Sequence, residues 1–385
     1  MGHVKALDGF RGLAVLLVMW SHFIAVSPAL DHGSVVGRLL KSGYYGVDMF
    51  FVLSGFLITG ILLDAKGGEG YFKVFIMRRV LRIFPLYYGV LAVVYGGAWL
   101  FSRESFHLYA GGPDSQGWFW LYASNWGMVA KGWGTPEGAW LDTPDGTSLG
   151  HFWSLAVEEQ FYLFWPWMVA FLDRRKLGWL CASFLLLAPV MASFLSDLAG
   201  NSLSGYVSTV GRLNTLGCGA LLAIAVRSPD WWLRVAQPAG RAFGLSGGVL
   251  LAVLALDANF SVWKIDFLSV LVPLCFGFGL VHALRLNGNP WGRLLASAPL
   301  RFLGKYSYGL YVYHHLLRPV WYACFWHGWI KPQLGTGLWA VGCYVLLAGT
   351  ASIALAMLSW AVVESPCLKL KRFFRDQGSR RPTAG

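Results

Sequence analysis

Charge is what this sequence has least of. Only 13% of its 385 residues are Asp, Glu, Lys or Arg, where soluble domains carry about 25%. A surface so poor in charge does not face water on all sides. Acid is scarcer still, with 19 Asp and Glu against 31 Lys and Arg and a formal net charge of +12. In a soluble chain that imbalance would point to nucleic acid. Here the asymmetry of membrane loops is the first explanation, and no nucleic-acid partner is expected. Cysteine is also sparse. Cys181, Cys218, Cys275, Cys324, Cys343 and Cys367 include no C-x-x-C pair and mostly sit in apolar runs, which argues against a disulfide framework or a zinc site; no metal is expected.

What is abundant is apolar and aromatic. Hydrophobic residues make up 56% and aromatics 16%, with 20 Trp, a composition suited to a bilayer and its interfaces. About 20 apolar residues are needed to span a membrane. Ten stretches qualify as candidates: 8–28, 46–64, 80–101, 150–172, 177–195, 209–226, 243–257, 267–285, 306–326 and 338–363. The expected fold is all-α and integral to the membrane, about ten transmembrane helices in one bundle. Trp118–Ala130 is apolar but too short to cross and reads as interfacial or re-entrant. The first run is not read as a signal peptide, because Arg11 and His22 interrupt it. With ten spans, 23 Lys and Arg fall on the side of the termini and 6 on the other, Arg212 and Arg318 lying within spans. That split places both termini in the cytoplasm. Residues 102–149 become a long extracytoplasmic loop rich in Gly, Pro and Trp, and 369–385 a short basic tail.

Ionisable groups inside spans cost ~2.5–3.5 kcal/mol each, so they should face the bundle interior and mark function. Arg11 and His22 are eleven residues apart. At about 100° per residue they share a helix face, with ~16 Å between them along the axis. Asp8 stands three residues before Arg11. Together they draw a polar stripe from the inner end of the first span past its midplane, unless His22 simply bonds a neighbouring helix. Asp48 opens the second span, either to orient a His or Arg or merely as an acid favoured by the helix dipole. Arg79 and Arg82 share a face at the inner end of the third span. They suit phosphate binding or ordinary snorkelling. Glu158 and Glu159 lie about two turns into the fourth span and point about 100° apart. One is placed to polarise His22, the other to meet a neighbour such as Arg212 or Arg318. Tyr311, His314 and His315 sit in the first half of the ninth span, with one histidine expected to face inward, and Glu364 near the inner face is expected to partner inner arginines.

Six pieces carry a resemblance: Leu7-Asp8-Gly9-Phe10-Arg11-Gly12; Arg11 spaced R-x10-H from His22; Gly46-Val47-Asp48 through Ser54-Gly55-Phe56; Arg79-x-x-Arg82; Trp153-Ser154-Leu155 through Glu158-Glu159-Gln160-Phe161-Tyr162; and Ser307-Tyr308-Gly309-Leu310-Tyr311 with His314. In this order, over nearly the whole chain, they resemble the acyltransferase-3 family of integral membrane O-acyltransferases. The resemblance implies a membrane acyltransferase domain over 1–368 in a bacterial inner membrane. It implies no permanently bound cofactor, an acyl-CoA co-substrate, usually acetyl-CoA, from the cytoplasm, and a carbohydrate or glycolipid acceptor. It also implies essential roles for the residues matching Arg11 and His22, and donor contacts for Arg79 and Arg82. Some members of the family carry a further soluble domain; with only the short tail here, transfer is expected to finish within the membrane domain.

The expected chemistry has Arg11, Arg79 and Arg82 holding the donor's phosphates while His22, polarised by Glu158 or Asp48, takes the proton of the acceptor hydroxyl. An acyl-histidine route stays open. Asp8, Glu159, Arg212, Tyr311, His314 and His315 are expected to support the site. The rival reading is a proton-coupled transporter or flippase of a glycolipid or small molecule, although no paired broken-helix repeat is visible. A ligand sensor is the lesser rival, since no output domain is seen.

Overall fold

A computed structural model describes residues 4–26, 34–101, 116–131, 149–256, 262–285 and 289–374. No strand occurs among them. Among the described residues are ten long helices: α1 Lys5–Ile24, α2 Gly46–Ala65, α3 Tyr71–Phe101, α4 Trp153–Phe171, α5 Arg174–Leu198, α6 Thr209–Val226, α7 Ala239–Ala255, α8 Val262–Leu284, α9 Ala298–Leu316 and α10 Leu338–Ser359.

Each expected span overlaps one of these helices, but not all ten are equally apolar. Seven segments are long and apolar enough to cross a membrane, and eight if Pro229–Ala236 and α7, bent by 47° at their junction, count as one. The segments outside that set are α4 and α9. They carry Glu158, Glu159 and Gln160, and the row of tyrosines and histidines from Tyr306 to His315. Their polar groups turn into the bundle rather than toward lipid.

Boundaries shift for physical reasons. α3 begins nine residues before the expected start, because Tyr71–Val80 continues helically with its Lys and Arg at the polar end. α9 stops at Leu316, ten residues early. Pro319 follows, and the chain continues as a short helix Arg318–Trp321 and a π-helix Tyr322–Ile330. A second π-helical turn, Trp360–Glu364, closes α10. Between α4 and α5, Asp173 caps the next helix. Its Oδ1 accepts the Lys176 N–H at 2.9 Å, and that bond holds the carboxyl below its ordinary range.

Glycine sets how closely the central helices approach. A Cβ on Gly304 would lie 1.9 Å from the Asp8 carbonyl oxygen, so α9 and α1 meet backbone to backbone. A Cβ on Gly219 would lie 1.9 Å from the Val52 carbonyl oxygen, which locks α6 onto α2. Such small-residue contacts are how helices associate in lipid, where burial of apolar surface supplies no drive. Around this centre the outward surface stays apolar: Trp339 is 89% exposed and Trp179 70%, with Leu186, Phe194 and Leu251 also outside.

The apolar piece expected as interfacial or re-entrant forms two short helices, Gln116–Trp120 and Ser124–Lys131. Gln160 bolts them to the bundle. Its amide donates to the Tyr122 carbonyl (2.8 Å) and to Asn125 Oδ1 (2.9 Å), and its oxygen accepts from Trp126 Nε1 (3.1 Å) and from Thr209. Tyr87 and Tyr88 donate to the carbonyls of Phe119 and Trp120. The remainder of the loop, including Trp133, Trp140 and its acids Glu104, Asp114, Glu137, Asp142 and Asp145, lies outside the described residues, as does the tail from 375 onward.

Candidate active site

One end of the bundle is lined by cations. Arg11 from α1, Arg79 and Arg82 from α3, Arg301 and Lys305 from α9 and Lys371 border adjoining clefts there. Acid offsets this only in part. Asp8 Oδ1 stands 3.4 Å from Arg11 Nη1, and Glu364 is buried and accepts from Ser359 Oγ at 3.0 Å. No ion pair joins Glu364 to an inner arginine among the described residues. The Arg79 guanidinium lies over the rings of Phe75 and Tyr162, at 5.6 and 5.7 Å. Its Nε is buried with no hydrogen-bond partner.

From this mouth a cavity of about 800 Å³, open end included, runs between α1, α2, α3, α4 and α9. Arg11, Arg79 and Arg82 border it at one end, Phe50, Phe51, Leu53 and Leu57 along one side, and Ser154 and Tyr311 at depth. Glu158 faces this space rather than His22. Its oxygens accept from Ser54 Oγ at 2.8 Å and from Tyr162 OH at 2.9 Å. Glu159 turns to a different groove, with Arg79, Phe84, Tyr122 and Leu163, and its Oε1 is buried without a partner. The 100° between neighbouring residues separates the two acids, as the sequence requires.

Beyond Tyr311 lies a cluster of four histidines. His22 Nδ1 is 2.9 Å from His314 Nε2. The His22 ring meets His315 edge-on, with centroids 4.7 Å apart, and His151 lies 4.7 Å from His315. His314 Nδ1 is 2.8 Å from the Leu310 carbonyl, and His151 Nε2 is 3.1 Å from that of Val312. Both carbonyls can only accept, so both nitrogens donate. Tyr311 donates to the His151 carbonyl at 2.9 Å and contacts Ser154 Oγ. The Tyr311–Ser154 pair thus separates the cavity from the histidines, and His22 does not line the cavity itself. No cluster of three or more His, Cys, Asp or Glu able to hold a metal ion occurs among the described residues.

The two expected carboxylate partners of His22 are therefore elsewhere. Asp48 is taken by Arg212, Nη1 to Oδ1 at 2.6 Å, in a pair whose side chains are 5% and 3% exposed. Tyr206 completes it, its hydroxyl 3.4 Å from Asp48 Oδ2 and its ring 4.2 Å beneath the guanidinium. Asp48 thus orients an arginine, the first of the two roles its position allowed, and Arg212 meets Asp48 instead of Glu159. His22 has an imidazole partner where a carboxylate was expected. Both His314 and His315 face inward, not one.

His151, Ser54, Ser154, Tyr162, Arg301 and Lys371 were given no role from the sequence. His151 had a readable signal. It stands seven residues before Glu158, two helical turns away on the same face. Ser54, Ser154 and Tyr162 stood within the motifs that carry the resemblance but showed no role of their own, because a hydroxyl among apolar residues is as often bonded to its own helix backbone.

Residues 4–360 match the family model described as "Acyltransferase domain". The chain belongs to this acyltransferase family. Among its relatives, this acyltransferase-family chain is 29% identical over 400 residues to a Bacillus subtilis protein named "Putative peptidoglycan O-acetyltransferase YrhL", covering 98% of the chain and 56% of the relative. It is 28% identical over 323 residues to the "Peptidoglycan O-acetyltransferase OatA" of Listeria monocytogenes, covering 81% of the chain and 49% of the relative. The chain spans about half the length of the curated relatives it matches. No solved structure matches it.

Proposed function

We propose that the protein is a multi-pass O-acyltransferase of a bacterial inner membrane, moving an acetyl-type group from cytoplasmic acyl-CoA to a hydroxyl of an extracytoplasmic sugar or glycoconjugate. The observation that carries this reading is the continuous line from a cationic mouth, through a cavity, to the Tyr311–Ser154 pair and the imidazoles behind it. Arg11, Arg79 and Arg82 supply fixed positive charge for the donor's phosphates, and the unsatisfied Arg79 Nε has a hydrogen bond left to give. The apolar wall suits the pantetheine arm. The excess of Lys and Arg on this side supports a cytoplasmic mouth. The acceptor class follows from the names of the relatives, two of which specify peptidoglycan.

His22 acts as general base in this reading. It takes the proton from the acceptor hydroxyl as the oxygen attacks the thioester carbon. The C–S bond breaks, and the proton leaves with the coenzyme A thiolate. Access requires the Tyr311 ring to move aside. Asp48 and Arg212 hold α2 to α6, and Glu158 lines the donor cavity with Ser54 and Tyr162. No cofactor stays bound.

The test uses purified full-length protein in lipid nanodiscs with acetyl-CoA and a peptidoglycan fragment. The expected result is free thiol released in step with a 42-Da mass gain on the fragment, the mass of an acetyl group replacing hydrogen. Movement of a substrate across proteoliposomes with no thiol release would establish the transporter reading instead.

A further inference from the structure

A base buried among imidazoles is useful only if one ring nitrogen carries no proton and faces the reacting hydroxyl. Which nitrogen that is depends on the partner of the other. Here the partner chain starts from a fixed point. The Leu310 carbonyl accepts from His314 Nδ1 at 2.8 Å, so the His314 proton sits on Nδ1. His314 is fully buried at 0% exposure, and neither ring nitrogen is bonded to a carboxylate. A neutral ring is the state such surroundings favour. A neutral ring protonated on Nδ1 has a lone pair on Nε2, and Nε2 faces His22 Nδ1 at 2.9 Å. His22 must then donate from Nδ1, which leaves its Nε2 bare.

We infer that His314 is a positioning residue: through the Leu310 carbonyl it sets the tautomer of His22 so that His22 Nε2 is the free basic nitrogen. This rests on the assignment of His22 as the base. It adds what that assignment lacks, a reason for the correct nitrogen to be free. In a serine-protease triad a carboxylate does this work; a main-chain carbonyl and a second imidazole do it here. With the ring centroids 5.2 Å apart, a 2.9 Å Nδ1···Nε2 contact places both nitrogens near the line of centres, so that line lies close to both ring planes. The contact of His22 with His315 is edge-on and sets the ring's tilt.

Two substitutions separate this role from mere packing. His314→Asn places its amide where Nδ1 stands, so it retains the bond to the Leu310 carbonyl and loses the one to His22. His314→Gln places its amide oxygen where Nε2 stands, able to accept from His22. The account expects His314→Asn to lose about 100-fold or more in thiol release, on the scale of wrong-tautomer variants elsewhere. His314→Gln should stay within about tenfold of wild type, a smaller loss than the roughly 100-fold that is the least a positioned proton carrier contributes. Solid-state ¹⁵N spectra of histidine-labelled protein in nanodiscs provide a readout independent of turnover. The signal lost in His22→Gln identifies His22, and it should show a protonated Nδ1 and a bare Nε2. In His314→Asn the Nε2-protonated form should appear. Equal activity in the Asn and Gln variants, or a wild-type His22 with Nε2 protonated, would overturn the inference. If the spectra come out as expected yet His22→Ala keeps full turnover, the relay stands and the base assignment is what fails.

Discussion

A side chain that must exchange a proton with substrate cannot be wholly packed away, yet one that must be aimed needs firm neighbours. His22 is half-buried while its partner His314 is fully buried, a division that suits the roles proposed for them, one imidazole to meet substrate and one to aim it. Tyr311 stands on the substrate side of this pair, bonded to Ser154 and to the His151 carbonyl. Tyr311→Phe removes both bonds and keeps the ring. The expected result is a changed kcat with a donor KM within about twofold, because the site proposed for the donor's phosphates lies at the far end of the cavity. At that far end, Arg82→Ala should raise the donor KM by about tenfold or more, the worth of one charge-assisted hydrogen bond of ~1.5–3 kcal/mol. Initial rates over a range of acetyl-CoA concentrations check both. The Asp48–Arg212 pair makes a different prediction. Asp48→Asn strands a buried guanidinium and should cost about 3–5 kcal/mol, read as a lower melting temperature in detergent. Replacing both by leucine should recover most of it. A recovered fold with recovered turnover places the pair in the scaffold and not in the chemistry.

At the scale of elements, close approach of helices is what puts Arg11 and His22 against α9. Gly304 lets the Asp8 carbonyl into contact, one turn from Arg11. Gly304→Val should force α1 and α9 apart and reduce folded, monodisperse protein on size exclusion, since the atom it meets is backbone and cannot swing away. The period of the helix made the Arg11–His22 stripe and the divergence of Glu158 from Glu159 legible in sequence. The partners were not legible. Which acid meets which cation depends on helix neighbours, and the neighbours depend on where glycines permit contact. Asp48 met Arg212 from 164 residues away, and His22 met His314 from 292 away. No local pattern encodes either meeting. The early end of α9 was partly legible at Pro319, but the π-helix after it was not, because an apolar run hides a change in hydrogen-bond register.

For the molecule as a whole, composition alone announced a membrane protein, and the apolar outer surface agrees with it. Hydropathy was less reliable as a counter. α4 and α9 bring Glu158, Glu159, Tyr311, His314 and His315 into the bundle, and these polar groups are what lower their hydropathy. The sidedness rests on 23 basic residues against 6. In a background with the six cysteines replaced by alanine, Lys331→Cys should react with an impermeant maleimide added to intact cells, and Lys176→Cys should react only after the membrane is opened. The reverse pattern would turn the donor mouth outward and remove acyl-CoA as donor. The central claim is that donor binding and proton transfer occupy opposite ends of one polar line, and a paired measurement on His22→Ala in nanodiscs tests it most directly. Coenzyme A affinity should stay within about threefold of wild type while thiol release falls by about 100-fold or more; release near the wild-type rate, or loss of affinity in parallel with it, would contradict the account.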